Sequence, residues 1–139
     1  MTARGDDAET EVGRNTRLVL SHFDEFVNRR QLDAIERNAA ADFVDHDGPG
    51  GRVADRAADR AMMAAMHALF PDLKVTVLHV VAQDDKVVVR NLWTGTHAQS
   101  GEPMECHGFV LWRIAGGKLV ERWATVTPMH AATAQVLDW

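Results

Sequence analysis

With 139 residues, 46% of them hydrophobic and 25% charged, the chain has the length of one domain and the make-up of an ordinary globular protein, large enough to bury a core without metal or disulfide staples. A formal charge of -5 removes the cationic field that phosphate backbones attract, so nucleic acid is not an expected partner. Cys106 is the only cysteine, which excludes an intrachain disulfide and any zinc site built on a cysteine cluster and fits a reducing cytoplasm. MTARGDDAETE lacks the apolar run of an export signal, and no apolar stretch approaches a bilayer span, so neither export nor membrane insertion is expected.

Residues 1–7 are small or charged and predict a disordered tail, leaving residues 8–139 as a single domain. From about Ala8, Val12, Val19, Phe23, Phe26 and Val27 recur at three, four and seven residue steps, the inner stripe of a helix that ends near Asn28. Leu32, Ile35 and Ala39 mark a short second helix from about Gln31. DFVDHDGPGG carries the apolar pair Phe43 and Val44 and then a glycine-rich loop. Asp55 caps a third helix, Arg56 to Phe70, which Pro71 ends. Its Met62, Met63 and Met66 either fill core gaps or line a pocket.

After Pro71 the period changes from that of a helix to that of a strand. Leu73 to Ala82 and Lys86 to His97 predict two strands around an Asp84-Asp85 turn. MECHGFVLWRI and KLVERWATVT predict two more around Gly116-Gly117. Pro128 suits the first position of a short terminal helix. Helices followed by a four-strand antiparallel meander, with room for one short edge strand, predict an α+β domain whose curved sheet wraps the N-terminal helices around a concave space suited to a small molecule.

Alternation sorts the candidate site residues by face. His97 shares parity with Asn91 and Trp93, so the three could form one wall, with His97 as base or donor or merely as a strand-end histidine bonded to a loop. His107 and Glu121 are either acid/base groups or a structural pair across the hairpin. Glu121 and Arg122 are adjacent and face opposite ways. If Glu121 is the inner one, desolvation raises its pKa and makes it an acid or base; if Arg122 is, it binds a carbonyl or carboxylate; the alternative is an ion pair at the rim or a dimer interface. Asp45, His46 and Asp47 lack a further His or Cys at ligand spacing, so no metal site is expected. Nothing in the sequence activates Cys106. Trp93 and Trp112 serve as core or stack on an aromatic ligand.

The order DFVDH, FPDLKVTV, WTGTH, HGFVLWRI and GGKLVERW resembles the SnoaL-like polyketide cyclases, a class similar in fold to nuclear transport factor and ketosteroid isomerase, from about Arg14 to Trp123. The resemblance implies a cone-shaped α+β barrel, often a homodimer, with a deep apolar cavity, no cofactor and a polyketide-like aromatic ligand closed by aldol condensation. It also implies polar groups near the cavity mouth at Asp45, His46 and His97; together with the residue readings above, Asp45, His46, Met66, Asn91, Trp93, Val110, Trp112, Arg122 and Ala124 are the expected ligand-binding positions. The cyclases commonly have a polar residue where Val110 stands, and their proton-transferring aspartate aligns with Ala124. Cofactor-free cyclase or isomerase chemistry would then fall to His97 with Glu121 or His107. The alternatives are a binding protein that has lost its catalytic acid, or a hydratase or epoxide-opening enzyme with a buried carboxylate.

Overall fold

The computed structural model describes residues 9–132. The expected tail lies outside them. Helix α1 (Glu11–His22) begins where the Thr10 hydroxyl accepts the Gly13 N–H at 3.0 Å, and its inward stripe is Asn15, Val19 and His22. It runs on into a π-helical stretch, Phe23–Asn28, which buries Phe23, Phe26 and Val27. Asn28 ends that stretch and locks it to the sheet, its side chain accepting the Val75 N–H at 2.8 Å and donating to the Val75 carbonyl at 3.1 Å. Helix α2 (Ala34–Asn38) starts later than Gln31 because Gln31 to Asp33 form a turn, with Ala34 N–H bonded to the Gln31 carbonyl at 2.9 Å. Ala39, expected on α2, instead opens strand β1 (Ala39–Asp45).

Helix α3 (Arg56–Leu69) follows a glycine-rich loop, and Asp55 caps it by accepting the Ala58 N–H at 2.9 Å. Strands β2 (Lys74–Gln83), β3 (Lys86–Thr96), β4 (Pro103–Ala115) and β5 (Lys118–Val126) form the expected antiparallel meander. Gly116 and Gly117, at φ 58 and 75, supply the left-handed backbone of the last turn. The short edge strand is β1, parallel to β5, so the sheet is mixed, runs β1-β5-β4-β3-β2 and does not close. Where a terminal helix was expected after Pro128, His130–Ala131 form strand β6 on Met104 and Glu105 of β4, in the stretch beyond the last pairing of β5. The rest of that expected helix lies outside the described residues.

The core fills the space between the helices and the inner face of the sheet: Val19, Phe23 and Phe26 meet Val87, Val89, Val110, Trp112 and Leu119. Two departures from regular strand geometry shape that inner face. Arg113 pairs with Glu121 but Ile114 pairs with Leu119, leaving Val120 as an extra residue, a β-bulge. The bulge flips parity, so Leu119 and Arg122, three apart, both face inward. Further along, a Cβ on Gly108 would lie 2.2 Å from the Thr125 carbonyl oxygen and 2.6 Å from Val126 Cα, so the end of β5 lies against the side-chain position of Gly108. Only a residue without a side chain permits this close approach. Gly108→Ala should therefore destabilise by about 1–3 kcal/mol, read as a lowered melting temperature, whereas Gly101→Ala, with nothing within 4 Å of its Cβ position, should show only the smaller strain of its φ of 72.

Candidate active site

A cavity of about 370 Å³ lies between α1, α3 and the inner face of the sheet. Most of its wall is apolar: Phe23, Phe26, Met63 and Met66 from the helices, Trp93 and Trp112 from the sheet. Besides Cys106, five ionisable side chains break that wall, Asp45, Asp47, Asp59, Arg122 and His22. The parallel register of β1 on β5 sets Asp45 directly beside Arg122. The guanidinium Nη1 donates to both Asp45 oxygens, at 3.0 and 2.9 Å, and the Asp47 N–H adds a bond to Asp45 Oδ1 at 2.9 Å. Asp45 is 0% exposed, so the pair is a buried, hydrogen-bonded ion pair.

Asp59 comes from the first turn of α3 and is 6% exposed. Burial, a hydrogen bond to Asp45 and the Asp45 charge together push its carboxyl up from 3.8 to about 8, with Arg122 opposing only in part. The shift favours the neutral acid over the carboxylate. Its Oδ1 has no partner among the described residues. His22, at the end of α1, is 3% exposed; burial, then the charges of Arg122 and Arg37, hold its imidazole down at about 3. Cys106 also lines the cavity, and desolvation followed by Glu105 pushes its thiol up to about 11, where it is not a nucleophile.

Of the residues singled out from sequence, the structure brings Asp45, Met66, Trp93, Trp112, Arg122 and Ala124 to the cavity. Asn91 and Val110 are fully buried on the same face without lining it, and neither polar atom of the Asn91 amide has a partner among the described residues. The three expected acid/base residues lie elsewhere. Glu121 is on the outer face, bonded to Arg113 and, at 2.9 Å, to His46, and these bonds, Arg113 first, hold its carboxyl below the usual range. His46 is its partner there and stacks on Trp123 with ring centroids 4.7 Å apart. His97 Nδ1 accepts from the Gln99 N–H at 3.2 Å and its ring meets Phe70 edge-on, so it fastens the β3–β4 loop. His107 sits beside His130, at 6.2 Å between centroids, and Arg113, not His107, is the cross-strand neighbour of Glu121.

Asp59 and His22 did not stand out in the sequence, yet each carries a legible signal. Asp59 is four residues before Met63 and seven before Met66, and His22 is three after Val19 and four before Phe26. Both are polar residues on an apolar helical stripe.

A helix-covered, open mixed sheet around an apolar cavity that holds a buried carboxyl defines a small-molecule fold of the cone-shaped α+β class. The chain belongs to the SnoaL-like polyketide cyclase family, whose model matches residues 17–134. Among solved structures, AclR of Streptomyces galilaeus, a candidate hydroxylase, superposes with a TM-score of 0.75 at 24% identity over 84% of this chain and 80% of its own. IdmH of Streptomyces antibioticus, a candidate polyketide cyclase, gives 0.73 at 26% identity over 81% and 91%. A candidate SnoaL-like cyclase of a Jannaschia species gives 0.74 at 22% identity over 85% and 89%. No curated protein matches the chain.

The buried charges have measurable consequences. Because the folded pKa of Asp59 lies above its unfolded value of 3.8, the folded state keeps a proton that the unfolded chain releases. Its contribution is therefore most favourable below about pH 4, weakens as pH rises to about 8, and is constant above that. Asp59→Asn should remove this slope, melting at the wild-type temperature near pH 4 and several degrees higher near pH 9. Arg122→Met leaves Asp45 charged and unpaired in the core and should cost about 3–5 kcal/mol in a denaturant titration at neutral pH.

Proposed function

We propose that the protein is a cofactor-free acid/base enzyme of the cyclase or isomerase type, in which Asp59 moves protons at a carbon next to a carbonyl. The observation that carries this reading is the Asp59 carboxyl itself: buried in an apolar cavity beside the Asp45 charge, with one oxygen unpartnered among the described residues and a pKa raised to about 8. A carbon-acid reaction at neutral pH needs a base poised near the working pH, and a dry pocket in which the resulting enolate is not quenched. In its ionised form Asp59 takes the α-proton; the electron pair passes to the carbonyl oxygen. In the ring-closing case the enolate carbon then attacks a second carbonyl and Asp59 returns the proton to the new alkoxide; in the isomerising case it returns it to carbon. No net proton, electron or co-reactant is required.

Arg122 and Asp45 are fixed in each other's grip and supply field rather than proton transfer, Arg122 offsetting the developing negative charge and Asp45 keeping the Asp59 proton from leaving too early. The indole N–H groups of Trp93 and Trp112 are buried without partners among the described residues, which supports a ligand that brings its own carbonyl or hydroxyl oxygens. The wall of aromatic and methionine side chains supports a flat, apolar, oxygenated ligand, in the polyketide-like class. The single, buried thiol suits a cytoplasmic protein. The outer sheet face suits a homodimer: Phe109 is 54% exposed beside Leu111 and Trp123 on neighbouring β4 and β5 positions. Among the described residues no helix is long and apolar enough to cross a membrane.

Deuterium incorporation at the α-carbon of 1-tetralone, a flat aryl ketone, tests the proposal by NMR. The protein-dependent rate should climb about 50–100-fold between pH 6 and 9 and level above about 8, following ionisation of Asp59. Asp59→Asn should abolish it, while Glu121→Gln and His97→Ala should leave it intact. Bound ketone with no exchange at any pH would instead support a carrier. For the dimer, Phe109→Lys should halve the mass seen by light scattering after gel filtration, and an unchanged mass would exclude this face.

A further inference from the structure

Among the ionisable side chains that line the cavity, His22 has no part in the proton transfer assigned to Asp59, yet its chemistry is tightly specified by its neighbours. Its ring is clamped, stacked on Phe26 at 5.0 Å with 14° between planes and meeting Trp112 edge-on at 5.6 Å. The clamp restricts how the ring can turn. One ring nitrogen, Nδ1, lies 3.1 Å from Asn38 Nδ2, and that same amide nitrogen lies 3.0 Å from Glu25 Oε1. Arg37 pairs with the same Glu25 oxygen at 3.4 Å.

The proton positions follow from donor and acceptor capacity alone. A carboxylate paired with arginine can only accept, so the Asn38 atom facing Glu25 must be the NH₂ group. Its second hydrogen then points at His22 Nδ1, which must be the bare, accepting nitrogen. The ring proton is left on Nε2, the nitrogen for which no described residue is a partner, in a residue that lines the cavity.

We propose that His22 is the neutral hydrogen-bond donor to the substrate carbonyl oxygen, its Nε2–H tautomer dictated by the chain Arg37–Glu25–Asn38. This rests on the acid/base reading of the cavity and names the group that holds the oxygen while Asp59 works on the adjacent carbon. When the α-proton moves to Asp59, the carbonyl π bond breaks and its electron pair resides on oxygen; the Nε2–H shortens its hydrogen bond to that oxygen and keeps its own proton. A neutral imidazole suits this task because its N–H is too weak an acid to protonate the enolate and end the reaction. The desolvation that holds the ring at about 3 keeps it neutral across the working range. The substrate class is thereby narrowed to uncharged ketones or esters whose carbonyl can reach α1 while the acidic carbon faces α3.

Two measurements test this independently of Asp59. In ¹⁵N-histidine-labelled protein, His22 should show an unprotonated Nδ1 and a protonated Nε2 whose shifts do not change between about pH 5 and 9. Asn38→Asp, which places an acceptor where the donor was, should move the proton to Nδ1. In difference infrared spectra the carbonyl band of added 1-tetralone should be lowered in wild type and in Asp59→Asn but not in His22→Phe, which keeps an aromatic ring in the clamp. His22→Phe should also slow α-exchange by about 100-fold. A titrating or Nδ1-protonated His22, or a carbonyl band no lower in wild type than in His22→Phe, overturns the proposal. Loss of exchange in Asp59→Asn with the shifted band retained supports both readings, whereas exchange that survives in Asp59→Asn with the shifted band retained removes Asp59 alone.

Discussion

The buried Arg122–Asp45 ion pair is the interaction on which the remainder of the site depends. It joins the last residue of β1 to the middle of β5 across the parallel edge of the sheet. Neither charge would be tolerated there alone, since desolvating a lone ion in an apolar core costs several kcal/mol. The pair thus fixes the position of β1, and with it the Gly48–Gly51 loop and the start of α3. It also sets the chemistry of its neighbour. Asp59 approaches a carboxylate whose charge is already committed to arginine, and the cheapest arrangement for a second carboxyl in that place is to keep its proton and share it. One ion pair therefore supplies both a structural tie and a carboxyl poised near neutral pH.

The inner surface that receives this pair is not that of an ideal strand. Strict alternation from Leu119 would have turned Glu121 inward with it and Arg122 outward, and the reverse choice would have turned Leu119 out of the core. The bulge at Val120 removes the conflict by letting an apolar residue and a guanidinium face the same way. The sequence alone could not announce the bulge, because Val120 is an ordinary strand residue and the extra position is visible only against the partner strand. That is why the meander, its turns and the helix cap at Asp55 were legible from residue patterns while the inward side of β5 was not. The edge strand β1 was harder for a related reason: AAADFVD has three alanines and a broken register against β5, so it carries little of the period-two signal.

The cavity lining was legible in the sequence, the Asp45 and Arg122 positions included, while the candidate acid/base residues His97, His107 and Glu121 lie away from it. Asp45, Met66, Trp93, Trp112, Arg122 and Ala124 do meet at one cavity. His97, His107 and Glu121 are conspicuous in the sequence because they stand between apolar strand residues. Those positions alternate onto an outer face or a loop, where solvent and neighbouring charges satisfy them. Helical polar residues are harder to notice because a 3.6 period spreads them among surface charges. Asp59 lies in RAADRAMM, where its neighbours Asp55, Arg56 and Arg60 read as an ordinary solvated turn. Only its spacing to Met63 and Met66 distinguishes it.

Ala124 gives the layout of the site its meaning. It lines the cavity on β5, and its N–H is taken by Asp47 Oδ2 at 2.8 Å. An acid at that position would stand on the sheet wall, next to the Arg122–Asp45 pair on the same strand. In this chain the sheet wall keeps the fixed pair, and the polar groups with mobile or directed protons come from the two helices that cover it, Asp59 from α3 and His22 from α1. A flat ligand held against Trp93 and Trp112 would then present its edge to both helices at once, with the acidic carbon toward one and the carbonyl oxygen toward the other. With alanine on the strand, the buried titratable groups Asp59 and His22 reach the cavity from the helices, where the helix stripes set their spacing.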